Sequence, residues 1–523
     1  MSTAVRRSET AVEPAETTGG YQAEAMAVGM AVMLAMTVLG RGIGFVRGMA
    51  FCRFMEDADV GRWSMAFGFI TLVTPVMLLG IPGALPRFTE TYRLRGQLTK
   101  FVRRIAVGTA CCTGVFLIAL MLAPGWFGWM VFLQPERMDL IHAVAAAVLG
   151  IITYNFVSDL CGSLRLVRVV SIMQFLQGVG FTCLSVWWLF QGGGLTGVVW
   201  MFTLACWISA VAGAILLRRQ WSKVQQVSST EASLSKACGG DDSSLRGMIR
   251  RLAPYAAALW LMNLIGNCFE LSDRYMILHF MPTASAAGDL ASGLSGQAAV
   301  GQYHAGRIIP MLLLSLAMMI SGILLPYLAA DWEQRRFEKV QQRLRDVLMM
   351  VSICFTAGSA LAILAGPWMF EVLLHGRYAA GLRLMPMALC FCTWSALVTI
   401  GQTYLWTAER GKWVPVAMFA GLVSNLVLNA LLLPRMGLTG AVLATLCSHG
   451  IVMIGIWAAM YWFGFRSGAS WLLISLLPLS LLASPVAAIG VAALVAWTQW
   501  QHPATRQRWL ESLPSRIRWD VAR

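Results

Sequence analysis

Charged residues are scarce in this sequence. They make up 12% of its 523 residues, whereas 58% are hydrophobic, and a soluble domain carries roughly 25% charged residues. This composition excludes a soluble enzyme, a nucleic-acid-binding domain and a disordered tail protein. The apolar residues lie in long uncharged runs, such as 105–123 and 414–433, without the alternation of an outer-membrane barrel. Helical runs of about 20 residues match the roughly 30 Å hydrocarbon thickness of a bilayer. Because lipid offers no partner to backbone polar groups, the sequence predicts an all-α polytopic membrane protein.

Motifs of catalysis and of metal binding are also missing. The 12 cysteines form no CxxC pair and lie mostly in apolar stretches, so we expect neither disulfides nor a metal site. The sequence has no Walker A motif, no GxSxG and no His/Cys/Asp cluster with metal spacing. We therefore expect a protein that is not an enzyme and that uses no cofactor. The net charge of +15 is interpreted as topological and not as a sign of nucleic-acid binding.

Twelve apolar spans and their flanking charges predict the organisation of the chain. With a cytoplasmic N-terminus, the inner loops carry 23 Lys and Arg against 5 in the outer loops. Residues 471–500 hold Pro478 and Pro485, which favours two short helices over one long span. The predicted segments are an N-terminal tail (1–23), a six-helix N-lobe (24–217), a cytoplasmic linker (218–252), a six-helix C-lobe (253–463), one or two extra hydrophobic helices (464–500) and a basic tail (501–523).

An internal repeat supports two parallel lobes. Short motifs recur at offsets of 240 and 243 residues, at equivalent positions of the two halves. Since each half has an even number of spans, the lobes are related by an axis along the membrane normal, as in transporters with a central cavity. The matching pairs are Val60-Gly61 with Val300-Gly301, Leu85-Pro86 with Leu325-Pro326, and Gly194-Leu195-Thr196-Gly197 with Gly437-Leu438-Thr439-Gly440.

Ionisable residues inside predicted spans are the main functional signal. A charge at the bilayer centre costs about 2.5–3.5 kcal/mol on insertion scales, so it normally faces a cavity or a partner. Guanidinium groups bind phosphate through two parallel hydrogen bonds, so clustered arginines favour an anionic amphiphile, above all a phosphate or pyrophosphate lipid. The candidate substrate-binding residues are Arg41, Arg47, Asp273, Arg274, His304 and Arg307.

Several of these charges have a structural alternative. Glu270 and Arg274 have the i,i+4 spacing of an intrahelical ion pair, which leaves Asp273 to pair with Arg41 or Arg307. Arg47 is alternatively expected to snorkel toward the outer interface.

Two further groups of charges are expected to have no part in the site. Asp159 is expected to be a helix-end or packing acid. Glu371, His375 and Arg377 are expected to lie on a solvated outer loop.

The chain resembles the multidrug/oligosaccharidyl-lipid/polysaccharide (MOP) exporter superfamily over nearly its whole length. The first span is similar to the S-R-x-x-G-F-x-R-D motif of lipid II flippases, although Gly40 and Gly48 replace its Ser and Asp. Other motifs are similar to those of polysaccharide exporters. The matching residues are Arg41, Gly44, Phe45 and Arg47, Gly301-x-Tyr303-x-Ala305-x-Arg307, Asp273-Arg274, and Gly376-Arg377-Tyr378.

The resemblance implies a two-lobed bundle that moves a lipid-linked glycan by alternating access. By this resemblance, Arg41, Arg47 and Arg307 would contact the pyrophosphate of a polyprenyl-linked oligosaccharide in a bacterial inner membrane. Our first hypothesis is a flippase for surface polysaccharide biosynthesis, whose partners are this anionic lipid-linked glycan and membrane lipids. The alternatives are a lipid II flippase and a cation-coupled multidrug antiporter of the same fold. The sugar, the coupling ion and the oligomeric state stay open.

Overall fold

Helices are the only regular secondary structure in the part of the chain described by this computed structural model. The described residues are 38–78, 97–133, 138–164, 166–234, 245–281, 295–466 and 470–501, with a few single residues between 79 and 96 and residue 468; between 222 and 259 nearly all of the description is of the backbone alone. Within these ranges nine helices are long and apolar enough to cross a membrane. The predicted tail 1–23, and all of the predicted tail 501–523 except its first residue, lie outside the described residues.

The N-lobe consists of six long helices. One additional short helix, Pro124–Phe132, precedes α4. The helix α6 continues to Leu234 and therefore extends into the segment predicted as a linker. The bounds are 38–54 for α1, Asp57–Met77 for α2, Leu98–Leu122 for α3, Met138–Ser163 for α4, Val167–Phe190 for α5 and Leu195–Leu234 for α6.

The C-lobe repeats this arrangement. Its first helix begins at Leu245, so much of the predicted linker 218–252 is helical. The element Trp413–Trp462 is broken at Gly437, whose φ of +59° favours glycine, into α11 before and α12 after this residue. Gly437 and Gly194 are equivalent in the repeat, and each precedes the last helix of its lobe. The other bounds are Leu245–Phe280 for α7, Gly296–Glu333 for α8, Phe337–Leu374 for α9 and Ala379–Thr407 for α10.

The C-terminal apolar stretch forms two short helices, α13 (Ser470–Ala483) and α14 (Pro485–Gln501). Between them Ser484 is extended, with φ −168° and ψ 141°, since the residue before a proline disfavours the helical region. Both helices pack against α9.

The two lobes meet where α2 crosses α8. A Cβ on Gly61 would overlap the carbonyl oxygen of Gln297, and a Cβ on Gly301 would overlap that of Asp57. Residues 57 and 297 share the 240-residue offset of Gly61 and Gly301. The crossing is therefore a two-fold arrangement, in which each half of the repeat contributes the same positions.

Further polar contacts join the lobes at the same end, the predicted outer side. The guanidinium of Arg377 binds the carboxylate of Asp57 at 2.5 Å and the carbonyl of Met55 at 3.0 Å. Asp57 also accepts a hydrogen bond from Gln302 at 2.7 Å, and the amide of Gln297 donates to the Phe132 carbonyl at 2.9 Å. Arg377 is thus an inter-lobe residue, and the expectation of a merely solvated loop is wrong.

The ion pair of Arg377 with Asp57 keeps Arg377 protonated. Burial alone would lower the pKa of Arg377, but the hydrogen bond to Asp57 and the nearby Tyr378 raise it above its ordinary value. Burial likewise raises the pKa of the Tyr378 phenol. The guanidinium is therefore cationic and the phenol neutral at physiological pH.

Exposed side chains of both lobes line a cavity between them. Phe67 and Thr71 on α2 and Asn263 on α7 line a cavity and are exposed. The described polar contacts between the lobes therefore lie at the predicted outer side, and exposed side chains line a space between the lobes.

Candidate functional site: a cationic cavity between the lobes

A cavity of about 390 Å³ lies between α1, α2, α7 and α8. Five of the six predicted site residues line it, and no carboxylate is found among its described lining residues. Its lining includes the aromatic side chains of Phe51, Trp63 and Phe67. The predicted residues on its wall are Arg41, Arg47, Arg274, His304 and Arg307.

Arg41 stands in a helix segment with little side-chain bulk. Its neighbours Gly40 and Gly42 carry no Cβ, and nothing lies within 4 Å of where one would be. The side chain is exposed and lines the cavity. No described carboxylate forms an ion pair with it, so the predicted alternative of a structural pair finds no partner in the ranges given above.

Arg47 points into the lobe interior and not toward the outer interface. Its guanidinium donates a hydrogen bond to the Thr182 hydroxyl at 3.4 Å and lies 4.5 Å from the centroid of the Phe181 ring. This cation–π contact belongs to an aromatic cluster in which Phe51, Trp63 and Phe181 pack edge to face or tilted. Arg47 is thus oriented by a hydroxyl and a π-face, which leave its charge uncompensated.

Arg307 forms the one ion pair of this cavity wall among the described side chains. It is 5% exposed and binds the Glu270 carboxylate at 2.9 Å and the Tyr303 hydroxyl at 3.3 Å. The predicted pair of Glu270 with Arg274 is therefore wrong: Glu270 pairs with a buried guanidinium that α8 supplies, and Arg274 donates to a backbone carbonyl of α2 instead.

Arg274 and His304 reach across from the C-lobe to one residue of the N-lobe. Arg274 donates to the carbonyl of Ser64 at 3.0 Å, and the His304 ring nitrogen Nδ1 lies 3.2 Å from the Ser64 hydroxyl. Gly68 makes room for this contact, because a Cβ there would lie 2.9 Å from the Arg274 guanidinium. The two side chains therefore line the cavity and join the lobes.

Asp273 is turned away from the cavity, although it was predicted as a binding residue. It is 1% exposed, and it pairs with neither Arg41 nor Arg307, because four neutral donors already occupy both carboxylate oxygens. The donors lie on α8, α11 and α12, so Asp273 ties helices of the C-lobe together. They are Tyr303 at 2.6 Å, Thr445 at 2.7 Å, Asn425 at 2.8 Å and Asn429 at 2.9 Å.

The electrostatic balance of the cavity is positive. Four guanidinium groups line it, and Glu270 neutralises one of them. Arg41, Arg47 and Arg274 have no ion pair with a described carboxylate. Since removing cations from water without counter-ions is costly, the cavity is suited to an anion that brings two or more charges.

A second cavity, of about 510 Å³, adjoins the first and shares Arg47 and Phe67 with it. Its wall carries uncharged polar side chains that were not predicted as site residues, since they have no formal charge. Asp159, expected to be a helix-end or packing acid, lies on this wall near the end of α4. The signal was present as amides within apolar helices. The set, here named the amide wall, consists of Asn155, Asp159, Gln177, Asn263 and Asn267.

Comparisons place this geometry among known proteins. The Bacillus subtilis protein named lipid II flippase MurJ is 22% identical over 460 residues, 82% of each chain. A solved structure titled lipid II flippase MurJ, inward closed conformation, superposes with a TM-score of 0.66 at 11% identity, over 90% of this chain and 99% of that one. An inward-facing multidrug resistance MATE transporter gives a TM-score of 0.58 at 12% identity, over 85% and 98%. Residues 26–332, more than half of the chain, match the family described as polysaccharide biosynthesis protein. The chain therefore belongs to the polysaccharide biosynthesis protein family and has the fold of the MOP superfamily of membrane transporters.

Proposed function

We propose that the protein is a flippase that moves a polyprenyl-pyrophosphate-linked oligosaccharide from the inner to the outer leaflet of a bacterial cell membrane. The observation that carries this proposal is the cavity with four arginines and no lining carboxylate. Arg41, Arg47 and Arg274 offer planar donor groups that fit the oxygens of a pyrophosphate.

The same cavity disfavours the multidrug antiporter. A cationic drug would need carboxylates, whereas the described lining residues of this cavity include none, and the nearby Glu270 is occupied by Arg307. Outward movement of an anionic headgroup is also favoured by a negative interior, by about 2.3 kcal/mol per charge and 100 mV.

The transport cycle that we propose follows from the inter-lobe contacts. With the lobes joined through Asp57 and Arg377, the cavity accepts the headgroup from the predicted inner side. Anion binding neutralises the arginines and removes the repulsion that opposes closing the inner side. The outer contacts then separate and release the headgroup to the other leaflet.

Two substrate classes fit this proposal. Membership of the polysaccharide biosynthesis family favours the glycan carrier of a surface polysaccharide. The similarity to a protein named lipid II flippase favours lipid II as the second candidate. Both carry a pyrophosphate next to a sugar, and the arginine cavity by itself does not discriminate between them.

Transport by proteoliposomes tests the proposal. The probes are fluorescently labelled undecaprenyl-pyrophosphoryl N-acetylglucosamine, labelled lipid II and a labelled phosphatidylcholine, and dithionite bleaches the label in the outer leaflet. We expect Arg41→Ala and Arg47→Ala to slow movement of the pyrophosphate probes about 10- to 100-fold, as the loss of one charged hydrogen-bonding group at about 1.5–3 kcal/mol implies.

Arg383→Ala is the matched control, because this arginine is exposed on α10 and does not line the cavity. It should transport like the wild type. A wild type that moves neither pyrophosphate probe, or that moves phosphatidylcholine equally fast, contradicts the proposal. The ratio of the rates for the two pyrophosphate probes separates the two substrate classes.

A further inference from the structure

The amide wall is an unusual surface for the interior of a membrane protein. It places one carboxylate and four amides on α4, α5 and α7, in or beside long apolar stretches of these helices. Polar side chains in a membrane span normally bond to one another across helices or face a functional cavity. These residues line the second cavity.

Most of the hydrogen-bonding capacity of this wall is unused. Asp159 has no ion pair and no hydrogen bond with a described side chain, and the same holds for the side-chain amides of Asn155 and Asn263. The amide of Asn267 donates to the Asn263 backbone carbonyl at 2.9 Å, which leaves its own side-chain oxygen free to accept. A group that enters the cavity therefore meets several donors and acceptors at once.

The donor and acceptor types fit a carbohydrate. A sugar hydroxyl both donates and accepts, as does the amide of Asn155, while the Asp159 carboxylate accepts from hydroxyl groups. The Phe67 ring, 39% exposed, offers an apolar face to the C–H side of a sugar ring. An inorganic cation is a poorer occupant, because it needs several oxygen ligands and the guanidinium of Arg47 lines the same cavity.

The position of the wall fits the covalent structure of a lipid-linked glycan. Its first sugar is bonded directly to the pyrophosphate, so a sugar site must adjoin the phosphate site. Arg47 and Phe67 line both cavities and so mark where the two meet. Asp159 lies four residues before α4 ends at the predicted inner side, which is the direction from which the glycan arrives.

We propose that the amide wall is the glycan subsite of this protein and binds the sugar residues next to the pyrophosphate. The inference rests on the proposed function and deepens it: the arginines retain any pyrophosphate lipid, and the amide wall distinguishes a glycosylated one. Asp159 and Asn155 act by accepting from and donating to sugar hydroxyl and acetamido groups, and Phe67 supplies the stacking face.

Binding measurements on the purified full chain in nanodiscs test this assignment. Native mass spectrometry gives the Kd of three probes: undecaprenyl pyrophosphate, undecaprenyl-pyrophosphoryl N-acetylglucosamine and lipid II. We expect the wild type to bind at least one glycosylated probe about ten-fold more tightly than the bare pyrophosphate. Asp159→Asn and Asn155→Ala should remove most of this preference and leave the Kd of undecaprenyl pyrophosphate unchanged.

Two control variants separate the subsite from the phosphate site. Thr153→Ala alters an exposed hydroxyl of α4 that bonds only to its own helix, at the Leu149 carbonyl, and should change none of the three Kd values. Arg47→Ala should weaken all three probes. Failure of the wild type to bind any probe contradicts the proposed function itself.

Binding of the bare and glycosylated lipids with equal affinity overturns only the subsite. So does an equal loss for all three probes in Asp159→Asn and Asn155→Ala, or no change in either variant.

Discussion

Individual charges inside the spans differ in how they are compensated. Arg307 is almost fully buried and depends on Glu270, whereas the side chain of Glu270 is 42% exposed. The two partners of this ion pair are thus unequal, because loss of the acid leaves a buried cation and loss of the base leaves a carboxylate that water can reach.

This asymmetry predicts the effect of single substitutions on stability. Glu270→Gln should lower the apparent Tm in detergent more than Arg307→Gln, and the double variant should recover part of the loss, since neither charge then remains unpaired. The measurement is a thermal unfolding curve of each variant in one detergent. An Arg307→Gln variant that is as unstable as Glu270→Gln contradicts the unequal dependence of the two partners on their ion pair.

The sequence identified which residues are charged within the membrane but not how they pair. Five predicted residues line the cavity, and four of them are arginines, because a guanidinium in an apolar helix normally faces a cavity or a partner. The partner of Glu270 was predicted wrongly, since spacing along one helix says nothing about which neighbouring helix supplies a buried arginine. The uncharged amides were not predicted as site residues, because they carry no formal charge.

The helices α2 and α8 approach each other closely at two glycines. Gly61 and Gly301 each face a backbone carbonyl of the other helix, which is a rigid obstacle and cannot move aside as a side chain does. The apolar runs predicted that these helices exist, and the repeat predicted that they are equivalent. Their mutual contact required the three-dimensional structure.

We therefore expect Gly61→Ala and Gly301→Ala to separate the helices at the predicted outer side. Hydrogen–deuterium exchange of peptides that cover residues 57–61 and 297–301 should speed up in both variants, and transport should fall. Gly108→Ala on α3 is the control, because a Cβ there meets nothing within 4 Å. Unchanged exchange in both α2 and α8 variants contradicts the close crossing.

At the scale of the whole molecule, polar contacts join the two lobes at the predicted outer side. Composition predicted the membrane class, and the offset motifs predicted the two-fold relation of the lobes. The orientation inferred from flanking charges stays a prediction. Which end of the bundle is closed could not be read from the sequence, because it depends on small differences in free energy between two packings of the same helices.

The ion pair of Asp57 with Arg377 should bias this equilibrium. It is partly exposed, with 22% and 37% of the two side chains accessible, so its contribution is about 1 kcal/mol. Asp57→Asn should therefore raise the population with separated outer ends about five-fold. Spin labels on exposed positions of the two lobes at this end, Trp126→Cys and Val372→Cys, report the distance by pulsed EPR, after the accessible native cysteines are replaced.

Asp59→Asn is the control that isolates the inter-lobe effect. Asp59 binds Arg62 three residues later on the same helix, at 3.0 Å, so its substitution removes a carboxylate of similar position without removing a contact between lobes. The distance distribution should then match that of the parent. An equal shift in both variants would assign the effect to local charge near α2, whereas a shift in Asp57→Asn alone identifies the Asp57–Arg377 pair as a contact that the lobes must break in order to open outward.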